Sequence, residues 1–442
     1  MGAFYPKAGM AQGLQRLSHA HRVVVCGRWS SDCIREEERA MASVLDDPEL
    51  FPILPWDPQH GWEGDVQRRQ GLESIAECGF TMAGFVQARD LPLCRRLGLG
   101  AIYLDETNPR VRAAQWSAMD DDAIDATVRR WVEATADSRA LYGYYLGDEP
   151  GANDFSGLGR AVDAVKRHAP DKLAYINLFP DYATIGTRQL AKDLSQLQTD
   201  SYGEYLERFV SEVRPQFISW DNYMVQYSQD LRNIEPATSY YRNLLQVRDV
   251  ASRHGLPFWQ IVSSNQIRPT TTIPSPANLL LQAYTTLAAG GHSVGWYTYY
   301  ARGYGYAPID ADEQRTPTWY HLAEVNRQIR SLGPVLNRLT SREVRFSGGG
   351  PVPGLPGLPG EIIRGVECSE PLMLGSFCDD VGGDYVMVVN TSLERSAKFR
   401  LELGPERAVE SRYCPAAGAF RPVAPDEARW LVAGEGVLLR VR

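Results

Sequence analysis

The residues of this sequence that are best suited to chemistry are carboxylates that follow apolar segments. The clearest case is LYGYYLGDEPG (141–151), where Asp148 and Glu149 end an apolar and aromatic run just before Pro150. A continuous apolar run indicates a strand that is buried on both faces, as in parallel sheets. Proline has no N–H and biases the preceding residue away from helix, so the strand ends there with Glu149 at its tip. In a parallel barrel, the C-terminal strand tips carry the catalytic residues.

Other apolar segments also end in polar or aromatic residues. In chain order these are Trp56, Asp57, Gln87, Asp105, Glu106, Asn177, Asp221, Asn222, Tyr223, Gln260, Asn265, Trp296, Tyr297 and Tyr299. If the segments are parallel strands, these residues converge on one mouth. Paired carboxylates, amides that bind hydroxyl groups and aromatic rings that stack on sugars are typical of glycoside hydrolysis. No GxSxG motif occurs, which argues against Ser-His-Asp acyl transfer.

Each of these residues also has a structural interpretation. Asp148 is the kind of residue that caps a turn, and Asp221 is the kind of carboxylate that orients a neighbouring tyrosine or arginine. Trp296, Tyr297 and Tyr299 are equally suited to the core and to a sugar-binding platform. The sequence leaves these alternatives open.

The elements that would position these residues alternate between strands and helices. Strand candidates lie at 51–56, 80–86, 100–105, 141–147, 172–179, 216–223, 257–264 and 292–300. Helical patterns lie between or after them, for example at 65–78, 123–137, 155–169, 239–255 and 316–333. This count and order predict an α/β fold, a (β/α)₈ TIM barrel over 51–333. A doubly wound open sheet is the alternative, but no glycine-rich phosphate fingerprint follows any strand.

Two further segments flank the predicted barrel. Residues 1–50 contain a strand candidate (22–29) and a helix candidate (34–46), which predicts a lead-in that packs on the barrel. Beyond it, 348–360 is a Gly/Pro loop followed by short alternating runs. Short strands separated by turn residues predict an antiparallel β-sandwich over 334–442.

Composition excludes several classes of partner. The chain has 442 residues and a net charge of −8, and we find no basic stripe, so neither nucleic acid nor an anionic membrane is expected as a partner. No run reaches the roughly 18 apolar residues of a membrane span. The first residues lack the apolar core of a signal peptide, which fits a cytoplasmic protein or a secreted one whose signal was removed. The oligomeric state stays open.

The seven cysteines are scattered, and neither CxxC nor HExxH occurs. A structural zinc site and a disulfide scaffold are therefore not expected, although the pairs Cys26/Cys33 and Cys368/Cys378 remain candidates for isolated bridges. We expect neither a metal nor an organic cofactor, and a carbohydrate as the substrate.

The barrel segment with its appended sandwich resembles the clan A glycoside hydrolases, which include many β-galactosidases and β-glucosidases. Gly147-Asp148-Glu149-Pro150 occupies the place where that clan has Asn-Glu, often followed by Pro, at the end of the fourth strand. The tyrosine-rich strand before it and the strand end at Trp296-Tyr297 are also similar. The resemblance implies cleavage of a glycosidic bond with Glu149 as the proton donor.

The sequence departs from the clan at two positions. Asp148 replaces the clan's asparagine, and the seventh strand, PFWQIVSSNQ, offers Gln260 and Gln266 where the clan has its nucleophilic glutamate. An amide cannot replace a carboxylate in that role. The second carboxylate must come from elsewhere, and we favour Asp221, then Asp105 or Glu106, then Asp148.

Carboxyl separation decides the stereochemistry, because pairs about 5 Å apart retain configuration and pairs about 6.5–9.5 Å apart invert it. The fourth and sixth strand tips are not adjacent, so we expect inversion. Glu149 would be kept protonated by partial burial and by the charge of Asp148, while Asp221 stays ionised.

Two other function classes remain. One is a non-catalytic carbohydrate-binding protein on a degenerate hydrolase barrel, which the missing glutamate on the seventh strand supports. The other is a metal-dependent barrel lyase or isomerase that uses Asp105, Glu106, Glu149 and Asp221 as oxygen ligands.

Overall fold

The computed structural model describes residues 43–61, 68–108, 112–136, 138–424 and 428–442. Its central element is a parallel sheet with the strand order β1-β8-β7-β6-β5-β4-β3-β2. The strands are β1 (Ile53–Pro55), β2 (Met82–Val86), β3 (Gly100–Tyr103), β4 (Leu141–Asp148), β5 (Leu173–Leu178), β6 (Ile218–Asp221), β7 (Phe258–Ser263) and β8 (Val294–Tyr297). Each strand lies within or beside its predicted segment, so the (β/α)₈ barrel is confirmed.

Helices lie between successive strands and after the last one. They are α1 (Leu72–Glu77), α2 (Leu91–Leu97), α3 (Ala113–Ala118), α4 (Asp121–Thr135), α5 (Phe155–His168), α6 (Tyr202–Arg208), α7 (Met224–Tyr227), α8 (Ile234–Arg253), α9 (Pro276–Ala288) and α10 (Pro317–Leu336). Within the described ranges, no helix has both the length and the apolar character that crossing a membrane requires.

Two helices differ from their predicted bounds for local reasons. Helix α8 begins five residues before 239, because Pro236 falls in its first turn, where a missing N–H costs no intrahelical bond. Helix α10 continues past Gly333, which does not act as a helix stop. A Cβ on Gly333 would lie 2.2 Å from Cβ of Phe51, so this glycine lets the helix pack closely against the start of β1.

The barrel closes where β1 meets β2. The N–H of Thr81 donates to the carbonyl of Ile53 at 3.1 Å, and a parallel bridge joins Pro58 to Phe85. Strand β2 bulges between these points at Gly84, which has φ +76°. A Cβ on Gly84 would lie 2.5 Å from the carbonyl oxygen of Pro55, so only glycine permits this approach.

Aromatic side chains fill the barrel interior. The ring of Trp56 lies 4.8 Å from Phe85 and 5.8 Å from Tyr175, and Tyr175 lies 5.8 Å from Trp259. Tyr145 completes this layer, 4.8 Å from Phe85. Two of these four pairs are edge-to-face and two are tilted, so all of them avoid the face-to-face sandwich that aromatic rings disfavour. The layer forms a solid floor beneath the strand tips.

After the barrel come two antiparallel sheets, with orders β15-β14-β17-β12-β11-β9 and β10-β13-β16. Their strands are β9 (Thr340–Phe346), β10 (Ile363–Cys368), β11 (Leu372–Cys378), β12 (Asp384–Asn390), β13 (Ala397–Leu403), β14 (Val409–Cys414), β15 (Ala419–Pro422), β16 (Arg429–Leu431) and β17 (Gly436–Val441). The predicted sandwich is confirmed, and 348–360 lies in the loop between β9 and β10.

The larger of these sheets is buried on both faces. Leu372 and Leu374 of β11 belong to a hydrophobic core between the two sheets, whereas Met373 and Phe377 belong to the core of the barrel. A Cβ on Gly375 would lie 2.0 Å from the carbonyl oxygen of Ala288, which brings β11 directly against α9. Because side chains alternate between the two faces of a strand, β11 packs against the smaller sheet with one face and against the barrel with the other.

Several predictions fall on other parts of the chain. The strand candidate 22–29, most of the helix candidate 34–46 and the pair Cys26/Cys33 lie outside the described residues. The division into 1–50, 51–333 and 334–442 stays a prediction. Cys368 and Cys378 are both free thiols, so that proposed bridge is wrong.

Candidate active site

The fourth strand delivers Asp148 and Glu149 to the mouth of the barrel. Asp148 is the last residue of β4 and pairs with Asn177 of β5. Glu149 follows with φ +46°, a conformation that is rare for a residue with a Cβ. Its N–H donates to the carbonyl of Asn177 at 2.8 Å, which holds this backbone in place. Backbone strain of this kind is concentrated at functional sites.

Asn177 connects the fourth strand tip to the sixth. Its Nδ2 donates to Oδ1 of Asp148 and to Oδ1 of Asp221, at 3.2 Å in each case. Because Oδ1 of Asp148 and Oδ1 of Asp221 are both 3.2 Å from the same Nδ2 atom, these two oxygens are separated by no more than twice that distance. Asp221, which ends β6, exposes only 3% of its surface and also accepts a hydrogen bond from the Tyr223 side chain.

The three carboxyls Asp148, Glu149 and Asp221, hereafter the acid cluster, perturb one another's ionisation. Burial raises the pKa of Glu149, and the charges of Asp221 and Asp148 raise it further. Burial and the charge of Asp148 raise the pKa of Asp221, against hydrogen bonds from Tyr223 and Asn177. Asp148 and Glu149 are open to the mouth, but protein atoms surround this concave site and displace much of the water that would stabilise a charge.

The first and eighth strand ends supply a fourth carboxylate and a cation. Asp57 is buried, and its Oδ2 accepts the N–H groups of Tyr299 at 2.7 Å and Tyr300 at 3.2 Å. Its Oδ1 lies 3.3 Å from the Arg302 guanidinium. Burial raises the pKa of Asp57 to about 6 despite these partners. Burial also raises the pKa of Asp148, against its hydrogen bond from Asn177 and the charge of Arg302.

Tyrosines line the mouth beside the acid cluster. The rings of Tyr223 and Tyr297 stack with centroids 5.0 Å apart, and the hydroxyls of Tyr297 and Tyr304 are 2.6 Å apart. The hydroxyl of Tyr182 accepts the N–H of Tyr223 at 3.3 Å. Among the predicted aromatic residues, Tyr223 and Tyr297 are therefore the two that the structure brings to the carboxylates.

Asp105 lies in a different environment. Its Oδ2 accepts hydrogen bonds from Arg130 and Trp131 of α4, both at 2.7 Å, and its Oδ1 accepts two from Thr107. Burial alone would raise the pKa of Asp105, but these hydrogen bonds outweigh it and hold the pKa below its ordinary value. With four donors on two oxygens, Asp105 has the contacts of a structural carboxylate. Glu106, next to it, is exposed.

The other predicted residues point toward the helices or into the core. Asn222 donates to Asn243 of α8 at 2.9 Å, and Gln260 accepts from Thr286 of α9 at 2.6 Å. Asn265 is buried and donates to Thr298 at 3.0 Å. Trp296 donates to Asn326 of α10, the Tyr299 hydroxyl bonds Ser74 and Trp319, and Trp56 belongs to the barrel floor.

The sequence analysis missed Arg302, Tyr182 and the pair Tyr175 and Ser219. The pair carried a usable signal, since side chains two residues apart on a strand share a face. Tyr175 precedes Asn177 by two residues, and Ser219 precedes Asp221 by two. Arg302 and Tyr182 lie in loops, where no periodicity marks the residues that face the mouth.

The residues that the structure describes include no group of three or more His, Cys, Asp and Glu placed to hold a metal ion. The metal-dependent lyase or isomerase thus has no candidate ligand set within these ranges.

Comparison with known proteins gives matches among solved structures. Neither the protein-family models nor the curated proteins yield a match. A catalytic mutant of Gan42B, a family 42 β-galactosidase from G. stearothermophilus, matches with TM-score 0.55 and 10% identity over 89% of this chain and 98% of that one. A family 5 glycoside hydrolase from Bacteroides vulgatus matches with TM-score 0.52 and 14% identity over 89% of both chains. A β-galactosidase from the psychrophilic Marinomonas ef1 is matched over 62% of its length, with TM-score 0.47.

The chain therefore shares the fold of the family 42 β-galactosidase and the family 5 glycoside hydrolase, and in this chain that fold is a (β/α)₈ barrel followed by two antiparallel sheets. The resemblance to clan A inferred from Gly147-Asp148-Glu149-Pro150 is confirmed at the level of fold. At these identities the similarity establishes architecture, and the chemistry has to be argued from the site.

Proposed function

We propose that this protein is a glycoside hydrolase in which Glu149 is the general acid and Asp221 is the second catalytic carboxylate. The observation that carries the proposal is the convergence of the fourth and sixth strand tips on one amide, Asn177, with Glu149 beside them. Two carboxyls with opposed roles are what cleavage of a glycosidic bond requires.

The electrostatics support a division of labour between these groups. Burial and the charges of Asp221 and Asp148 all disfavour ionisation of Glu149, so Glu149 keeps a proton that it can give to the leaving sugar oxygen. Burial and the charge of Asp148 raise the pKa of Asp221, and the hydrogen bonds that it accepts from Tyr223 and Asn177 oppose this rise and favour its ionised form. An ionised Asp221 either removes a proton from an attacking water or attacks the anomeric carbon itself.

Other mouth residues fit the binding of a sugar. Arg302, which the buried Asp57 holds through its Oδ1, offers a donor for hydroxyl groups, and Tyr223 and Tyr297 present stacked rings beside the carboxyls. Asp148 is the alternative second carboxylate, because it shares Asn177 with Asp221 and is open to the mouth. The contacts of Asp105 do not favour it for this role.

The test is hydrolysis of a panel of aryl glycosides and oligosaccharides by the wild type, Glu149→Gln, Asp221→Asn and Asp148→Asn. We expect Glu149→Gln and Asp221→Asn to lower turnover by about 10²-fold or more, the usual size of an acid–base contribution. Glu133→Gln, on the exposed face of α4, is the matched control and should be unchanged. NMR of the first-formed anomer distinguishes retention from inversion, and we expect inversion.

A different result would point to the alternatives. Oligosaccharide binding without cleavage by the wild type would favour a carbohydrate-binding protein on a degenerate barrel. If Asp148→Asn, and not Asp221→Asn, abolished turnover, Asp148 would be the second carboxylate. On the oligosaccharides, whose leaving sugar oxygen needs a proton, a fall of less than about tenfold in Glu149→Gln would remove Glu149 from the role of acid.

A further inference from the structure

Asn177 is the last side chain in a run of buried hydrogen bonds that begins inside the barrel. The hydroxyl oxygens of Tyr175 and Ser219 are 3.0 Å apart, and Ser219 donates to Oδ1 of Asn177 at 3.0 Å. Ser219 has one hydroxyl proton and gives it to Asn177, so Tyr175 must be the donor in its contact with Ser219. Every bond in the run therefore points toward the mouth.

This direction fixes what Asn177 presents to the acid cluster. With Oδ1 occupied by Ser219, the Nδ2 group faces Asp148 and Asp221, and an amide nitrogen can only donate. One Nδ2 proton serves each carboxylate, and the oxygen that receives it acts as an acceptor. Within the described part of the chain, no protein group donates to the Glu149 carboxyl, and burial and the charges of Asp221 and Asp148 raise its pKa.

We infer that Asn177, held by Ser219 and Tyr175, is a positioning residue that assigns the shared proton of the acid cluster to Glu149. Three crowded carboxyls cannot all ionise, so at least one keeps a proton. Donors fixed on Asp148 and Asp221 stabilise those two as carboxylates, and the proton remains on the carboxyl without a donor. Rotation of the amide by 180° would turn Oδ1 toward the acids and favour protonated Asp148 and Asp221 instead.

Other charged and titratable groups also act on the cluster, and none of them replaces the amide. Arg302, from the loop after β8, attracts Asp148 and also contacts Asp57 of the first strand end. The tyrosines that interact electrostatically with the acids are Tyr145, Tyr175, Tyr182, Tyr202, Tyr205, Tyr223 and Tyr227. Burial holds the pKa of each above its ordinary value, so all seven are neutral when the carboxyls titrate.

The consequence for catalysis rests on the proposed function, whereas the placement of the proton does not. We therefore propose to measure it directly, by carbon-13 NMR titration of side-chain carboxyls in protein labelled on Asp and Glu. Signals are assigned with Glu149→Gln, Asp148→Asn and Asp221→Asn. In the wild type, the Glu149 carboxyl should remain protonated to higher pH than the other two.

Asn177→Leu keeps the size of the side chain and removes both donors. Asp148 and Asp221 should then titrate about one pH unit higher, the size of one charge-assisted hydrogen bond, and Glu149 should lose its proton at lower pH. Ser219→Ala, which releases the amide to rotate, should give a smaller shift in the same direction, and Tyr175→Phe the smallest. Asn177→Gln, which restores an amide, should recover part of the wild-type order.

Tyr240→Phe is the matched control for Tyr175→Phe, because it removes a buried hydroxyl that bonds Thr285 at 2.6 Å between α8 and α9. It should leave all three carboxyl titrations unchanged. If Asn177→Leu does not fold, Ser219→Ala and Tyr175→Phe carry the test. Unchanged carboxyl titrations in folded variants of this series would overturn the inference.

Activity provides a separate outcome. If the protein hydrolyses glycosides, the acidic limb of the pH–rate profile should move up by about one unit in Asn177→Leu. NMR shifts in a protein that cleaves nothing would uphold the positioning role and refute the hydrolase. Hydrolysis with unmoved carboxyl titrations would refute the positioning role and leave the hydrolase standing.

Discussion

The contacts of Asp105 predict that this residue stabilises the fold and takes no part in catalysis. The perturbation is Asp105→Asn, which keeps the shape of the side chain and replaces one carboxylate oxygen with an NH₂ group. Oδ2 accepts from Trp131 and Arg130, and Oδ1 accepts from the N–H and hydroxyl of Thr107. In either orientation the new NH₂ group faces donors instead of acceptors.

The loss of stability in Asp105→Asn depends on which donors lose their hydrogen-bond partner. If the NH₂ faces Thr107, the hydroxyl can rotate to accept, so mainly the backbone N–H loses its bond. If it faces α4, the buried Trp131 indole and the half-exposed Arg130 lose theirs. A hydrogen bond to a charged group contributes about 1.5–3 kcal/mol, so we expect Asp105→Asn to lower the free energy of unfolding by roughly 2–4 kcal/mol.

The assay is urea denaturation of the wild type and the variant, with turnover measured on folded protein. Because the folded pKa of Asp105 is depressed, its contribution is present above the ordinary pKa of aspartate and is lost as pH falls through the folded value. The difference in stability should therefore shrink toward low pH. If the variant kept the stability of the wild type but turned over substrate about two orders of magnitude more slowly, this reasoning would be refuted and Asp105 would become a catalytic candidate.

Three further predictions concern other parts of the molecule. The folded pKa of Asp221 is raised, so the protonated side chain stabilises the fold at low pH and this stabilisation is lost as pH rises through the folded pKa. By urea midpoints, Asp221→Asn should therefore be more stable than the wild type by about 1 kcal/mol at pH 9 and should show no gain at pH 4. Gly84→Ala would place a Cβ against Pro55 and should cost roughly 3 kcal/mol by the same assay, whereas Gly98→Ala, also at positive φ but with open space, should cost about 1–2 kcal/mol. Tyr299→Phe removes the hydroxyl that accepts from Trp319 and bonds Ser74, and should lower stability by about 1–2 kcal/mol without changing KM for any glycoside; a raised KM would return Tyr299 to the sugar site.

The strands of the barrel were predictable because their signal is local. A strand buried on both faces needs a continuous apolar run, and the polar residue that ends it marks the tip, as at Glu149 and Asp221. The order of strands around a parallel barrel follows the order of the chain, so these two tips could be assigned to one mouth without coordinates. Sequence alone could not tell which polar residues turn inward at the tip. Asp105 and Gln260 differ from Asp221 in this respect, because their partners on α4 and α9 are distant in sequence.

The sequence by itself therefore determined the barrel architecture and a short set of carboxylates at the C-terminal ends of the barrel strands. Hydrophobic periodicity depends on the order of residues along the chain, so it can be recognised without any knowledge of tertiary contacts. What only the tertiary structure decided is which acids interact: Asn177 donates to Asp148 and Asp221 together, and the charges of those two act on Glu149. The energy of a carboxyl depends on the charges, donors and water within a few ångströms of it, and folding alone brings those groups together from separate strands.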